Sequence, residues 1–163
     1  MPAPDRTITQ PLSPQEREAL LAIAQGKTTA ETAADMGVSE STVKTYVLRI
    51  GGKLGALERA AMVELAYRHH HLDVPVPLDH MVHLSVEQRS VLEGLAGGKT
   101  VEQIAAGERR PLADVRKDAR RMLRALGASS AAHAVTRGWQ LSLLGPTADP
   151  DASRAVAAVA GPA

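Results

Sequence analysis

Moved by 72 positions, the chain aligns with itself without a gap. The stretch LSPQEREALLAIAQGKTTAETAA, from Leu12, falls on LSVEQRSVLEGLAGGKTVEQIAA, from Leu84. Further along, Val43 falls on Val115, Arg49 on Arg121, Leu54 to Ala56 on Leu126 to Ala128, and Val63 on Val135. A duplication inside 163 residues means that one small fold is used twice, with each copy near the lower size at which a chain can bury a core. There is no Phe, one Trp and two Tyr, so that core has to come from Leu, Val, Ile, Met and Ala within the 44% hydrophobic content. These residues favour short, closely packed helices, because Ala and Leu have high helix propensity and small side chains let helix axes approach.

Both copies carry the same helix punctuation. Ser13-x-x-Glu16 and Ser85-x-x-Gln88 are capping boxes, in which a hydroxyl and a side chain three residues on satisfy each other's orphan amides; Pro14 suits the first helical position. The first helix then runs to Gly26 or Gly98. Thr28-x-x-Glu31 and Thr100-x-x-Gln103 open a short second helix, which in the first copy stops at Gly37. Ser39 is placed to cap a third helix, predicted over Glu40 to Leu54 with Val43, Val47, Ile50 and Leu54 at helical spacing, and over Leu112 to Leu126 in the second copy. A fourth helix is predicted near Glu58 to Arg68 and Ala131 to Leu144. The expected organisation is therefore all-α: two tandem four-helix units, 12–72 and 84–144, joined by a Pro/His linker at 73–83, with disordered ends at 1–11 and 145–163.

Several function classes drop out. Without Cys there is no disulfide, thiolate-bound zinc or cysteine nucleophile. No apolar run reaches the roughly 20 residues of a membrane span, and MPAPDRTITQPLS lacks the pattern of a secretion signal, so a soluble, cytoplasmic protein is expected. His69, His70 and His71 are consecutive and cannot all face one ion; interaction with a helix C-terminal dipole is the plainer account, and His80, His83 and His133 add no ligand spacing. Tyr67 and Trp139 are expected in the core or at an interface. No acid pair, nucleophile or glycine-rich phosphate loop has a convincing partner, so neither an enzyme nor a cofactor is expected. Net charge is only +1, which leaves the placement of the cations to decide whether phosphate is bound.

The stretch from Leu12 to about Leu72, with LSPQE, the IA-type second helix and MGVSESTVKTY at their expected distances, closely resembles the LuxR/FixJ (GerE-like) DNA-binding domain of bacterial regulators. The second copy resembles it mainly through the first. The resemblance implies that the second and third helices form a helix-turn-helix, that the third lies in the major groove of double-stranded DNA, and that the fourth often makes a dimer contact. Carried over by position, Lys44 looks like the groove-facing lysine, Thr45 and Leu48 like positions that meet bases, and Thr29, Thr42, Arg49 and Lys53 like phosphate contacts. Leu48 departs from the polar residue usual there, and a thymine methyl is the partner that would suit it. Tyr46 stands in place of a common His. Gly51-Gly52, costing roughly 1 kcal/mol each relative to Ala, predicts a loose or bent end to the third helix.

The second copy reads GERRPLADVRK at the turn, losing the Gly-Val pair and the Ser cap, so a non-standard turn is expected. Its third helix is basic: Arg116, Lys117, Arg120, Arg121 and Arg124. Arg116 and Arg120 share a face and match Lys44 and Leu48, a pair of guanidinium groups able to take guanine edges or phosphates. Residues 12–72 hold seven Lys/Arg against seven Asp/Glu, and 84–144 hold ten against six. The expectation is a transcriptional regulator, nucleoid-associated, that binds neighbouring half-sites with two linked units, and a homodimer contact through the fourth helices is the accompanying one. The alternative is a protein-interaction regulator, contacting RNA polymerase or another regulator, in which the second unit has lost DNA. Sigma-factor region 4 shares the helix-turn-helix pattern, but no second sigma-like region precedes it.

Overall fold

The structure, a computed structural model, describes residues 10–146. Most of both ends expected to be disordered, 1–9 and 147–163, lies outside the described residues. Among the described residues the chain is all-helical: α1 (Pro14–Ala24), α2 (Thr29–Met36), α3 (Glu40–Leu54), α4 (Arg59–Arg68), α5 (Val86–Ala96), α6 (Val101–Glu108), α7 (Leu112–Leu126) and α8 (Ala131–Gln140). The last four match the first four in length, at 11, 8, 15 and 10 residues. No helix among them is long and apolar enough to cross a membrane.

The four capping boxes form as the sequence predicts. Ser13, Thr28, Ser85 and Thr100 each accept the amide three residues on, and the Glu or Gln there accepts the cap amide in return. Inside each half, α1 and α2 pack on α3, and α5 and α6 on α7. Val43, Ile50 and Leu54 are buried from α3, and Val115, Met122 and Leu126 from α7, which is one stripe repeated.

Three expected features come out differently. Gly51 and Gly52 do not break α3, which is continuous to Leu54. Gly51 is a close-approach position, since a Cβ there would lie 2.6 Å from the Ala56 carbonyl oxygen and 3.0 Å from Met62 Cε, while Gly52 faces open space. The turn between α6 and α7 is standard in backbone. Arg109 takes the left-handed conformation (φ 53, ψ 43) that Gly37 takes between α2 and α3 (φ 65, ψ 34), and each is followed by an amide bonded to the matching carbonyl, Val38 to Ala33 and Arg110 to Ala105, both at 3.0 Å. Finally, α8 stops at Gln140, not Leu144. Ser142 has φ 57, and the chain folds back so that the amides of Leu143 and Leu144 bond to the Gly138 carbonyl. The same device ends α4, through His70 (φ 58) and the Ala66 carbonyl.

The two halves share one buried cluster that runs from Leu12 to Leu144. Helix α4 packs on α8, α1 on α8, and α4 on α5. Exchanging the halves turns α1·α8 into α5·α4 and maps α4·α8 onto itself, as an isologous interface requires. Two polar contacts at the α4–α8 seam obey the same exchange, whereas the bond from Ser129 Oγ to the Gly26 carbonyl does not, because Leu57 stands at the position matching Ser129. Tyr67 Oη lies 2.9 Å from Thr136 Oγ1, and at the counterpart positions Trp139 Nε1 donates to Glu64 Oε2 at 2.5 Å. The Tyr67 and Trp139 rings meet at 5.4 Å and 51° between the halves, so both expected places, core and interface, coincide in the shared cluster. The fourth helices are thus paired inside the chain, so the surface expected to join two copies is already covered. The 73–83 segment is tied down where Leu78 N–H donates to the Gln140 carbonyl and Gln140 Nε2 to the Val76 carbonyl.

Candidate nucleic-acid interface

Helix α3 exposes the face opposite its buried stripe. Lys44, Thr45, Leu48 and Arg49 all lie on it, with Leu48 77% exposed. A leucine that water reaches so freely contributes nothing to the core, so its place on the outer face is available for an apolar partner. The Thr45 hydroxyl donates to the Ser41 carbonyl at 3.1 Å. At the helix start, Ser39 Oγ accepts the Thr42 amide at 3.1 Å and lies 2.9 Å from Thr42 Oγ1, so Thr42 belongs to the cap and is only half-exposed.

Two further residues of the sequence set are occupied within the protein. Thr29 is half-buried and accepts Arg59 Nη2 at 3.0 Å. Lys53 lies 2.7 Å from Glu16 Oε2. Glu16 is 3% exposed, and a buried carboxylate needs a partner more than a phosphate needs one lysine. Burial pushes the Glu16 carboxyl up, but the Lys53 and Ser13 hydrogen bonds and the charges of Lys53 and Arg49 outweigh it and hold the group below the ordinary 4.5. The second half has Gln88 in this position and Ala125 opposite it, so Lys53 answers a need of the first half alone.

On α7 the equivalent face carries Arg116, Lys117, Arg120, Arg121 and Arg124, all exposed. Five cations on one 15-residue helix make this the more basic surface. Its start has no capping side chain, because Pro111 occupies the cap position. Order comes from an ion-pair group that the sequence reading missed: Arg110 bonds Asp118 and Glu108, and the Ser90 hydroxyl bonds Glu108. Arg110 lies before α7 and Asp118 within it, so helical periodicity does not pair them. Arg116 also has an unforeseen partner, Glu102 on α6, at 3.2 Å.

Between the halves lies a cleft of about 720 Å³ whose walls come from matching positions, Ile23, Lys27 and Thr28 on one side and Leu95, Lys99 and Thr100 on the other. The α2 and α6 starts therefore face each other across the exchange axis. Among the described residues no three His, Asp or Glu side chains come together as a metal site.

Residues 10–66 match the family model of bacterial regulatory proteins of the luxR family, GerE. The probable transcriptional regulatory protein NarL of Mycobacterium tuberculosis, strain H37Rv, is 48% identical over 62 residues, 38% of this chain and 29% of its own length; its counterpart in strain CDC 1551 / Oshkosh gives the same figures. The probable HTH-type transcriptional regulator GfsR of Streptomyces halstedii is 41% identical over 56 residues, 34% of this chain and 23% of its own length. The chain thus spans less than a third of the length of these relatives. No solved structure matches it significantly.

Proposed function

Because residues 10–66 are a LuxR-family helix-turn-helix domain, we propose that the chain is a sequence-specific transcriptional regulator that reads DNA with both halves. In this reading residues 84–144 are a divergent second unit, and α3 and α7 enter neighbouring major-groove segments of one operator. The observation that carries it is the isologous seam, in which Tyr67–Thr136 and Trp139–Glu64 exchange with each other. Such a seam relates α3 and α7 by a two-fold operation, which suits an inverted repeat rather than a direct one, with half-sites about one helical turn apart. Linking the units in one chain raises the effective concentration of the second contact once the first is made.

Lys44, Thr45 and Leu48 face bases in the first half-site, with a thymine methyl for Leu48, and Arg116 and Arg120 face bases in the second. Arg49, Lys117, Arg121 and Arg124 lie on phosphates, which set register and carry most of the salt dependence. Thr29, Thr42 and Lys53, each bonded within the protein, make the lesser share of the phosphate contact. The work is binding, not chemistry, and its place is the chromosomal DNA of a bacterial cytoplasm.

Selection of bound fragments from random duplex DNA, at fixed salt, tests this reading with the full chain. A two-part inverted motif is expected. A motif from one half alone would make α7 a surface for RNA polymerase or another regulator, and no enrichment at all would sink the DNA reading.

A further inference from the structure

Arg116 Nη2 donates to Glu102 Oε1 at 3.2 Å, joining the outer face of α7 to the first turn of α6. Both side chains are more than half exposed, at 54% and 59%, and a pair so placed adds little to stability. While it is made, it points the guanidinium. A guanidinium has five N–H donors in a rigid fork, and this contact uses one of them, with no other bond to the fork among the described residues. Glu102 remains a carboxylate near neutral pH, since a bond from its own backbone amide and then the bond from Arg116 lower its pKa. The first half has no equivalent. The counterpart positions are Ala30 and Lys44, a methyl group and a flexible ammonium that bonds as a point charge.

We propose that Glu102 is a positioning residue that holds the Arg116 fork for the O6 and N7 edge of a guanine. The second half then demands a guanine-bearing half-site, the first half does not, and the chain lies on its operator in one orientation. This rests on the DNA reading above. The unlike halves follow from geometry as well as composition: the isologous seam makes the backbones equivalent, while only one of the two reading heads carries a braced bidentate donor.

The test is selection from random duplex DNA at fixed salt with the full chain and three variants: Glu102→Ala, which removes the acceptor, Arg116→Lys, and a transplant combining Ala30→Glu with Lys44→Arg. All four positions are solvent-exposed, and circular dichroism checks that each variant keeps its helices. The parent should return two unlike half-sites, one with guanine fixed at a single position. Glu102→Ala should lower preference for that guanine on the order of tenfold, while binding to unselected DNA stays equal or tightens through the lost negative charge. Arg116→Lys should lose the same preference, and the transplant should create a guanine demand in the other half-site. An unchanged motif from Glu102→Ala would overturn the positioning role, and tighter binding with the same motif would overturn it by showing that Glu102 masks Arg116. Two like half-sites from the parent would remove the orientation. No enrichment by the parent would instead remove the DNA reading itself.

Discussion

The turns before α3 and α7 share a backbone and almost no chemistry. In the first half Gly37 takes the left-handed position and Ser39 caps the helix. In the second, Arg109 takes that position, the cap is Pro111, and Arg110 is bonded to Asp118 and Glu108. The buried stripe beneath is the same in both, with Val43 and Val115 each 0% exposed. The comparison teaches that core packing fixes where the third helix lies, so the turn residues are free to change as long as each orphan amide and carbonyl finds a partner. The outer faces are bound by no such rule. They drift toward different partners, Leu48 and Lys44 on one side and five cations on the other.

The largest effect is expected where the halves join. Trp139→Ala removes a buried ring and leaves the Glu64 carboxylate without its indole donor, which should cost about 3–5 kcal/mol. Chemical denaturation should show both halves losing structure in one transition; two separate transitions would show that the shared core does not couple them. Tyr67→Phe, at the counterpart position, removes only a hydroxyl and should cost about 1 kcal/mol.

The outer faces of α3 and α7 come next. Lys44→Ala and Arg116→Ala should each weaken operator binding by about 1–3 kcal/mol with helicity unchanged, measured by fluorescence anisotropy at fixed salt. Loss from one and not the other would break the equivalence of the two halves. Backbone substitutions sharpen the comparison further. Gly51→Ala drives a Cβ against the Ala56 carbonyl and should destabilise by about 1–3 kcal/mol, whereas Gly52→Ala, in open space, should stabilise by up to about 1 kcal/mol. Arg109→Gly should stabilise by about 1 kcal/mol, since it relieves a left-handed residue that the first half fills with glycine. Thermal melts separate all three.

The smallest effect is a pH dependence carried by residues with no counterpart in the other half. His133, against Gly26 and Ser129, has its pKa lowered by burial and then by Arg137, and His71 has its own lowered by burial and then by His69 and Arg17. The positions matching them are Ala61 and Leu143. A histidine held neutral in the folded state contributes stability that is complete above its ordinary 6.5 and is lost as pH falls through the lower folded values. Melts between neutral and mildly acidic pH should therefore show a gradual loss that His133→Ala reduces.

The helices were legible because the caps and the stripes are local. Four capping boxes and the run Val43, Val47, Ile50, Leu54 define starts and faces within a few residues, and the duplication doubled the signal. The end of α8 was not legible, because Leu144 looks like a helical apolar position and only its packing on Gly138, where a Cβ would come within 2.7 Å of it, shows that the chain has turned back. Of the site, the α3 residues are those that the family resemblance implies, and helical spacing supplies only the buried stripe opposite them; neither can tell a free cation from an occupied one. Lys53 is claimed by Glu16, 37 residues away, and Arg116 by Glu102, 14 residues away. Both pairings depend on how helices cross, which one-dimensional periodicity does not contain.

The central claim, two unlike reading heads on one seam, is tested most directly by a hydroxyl-radical footprint of the full chain on its selected operator, run beside the Arg116→Ala, Arg120→Ala double variant. Two protected patches about one helical turn apart, one of them lost in the double variant, are the predicted result. A single patch that the double variant leaves intact would contradict it and leave α7 without a DNA role.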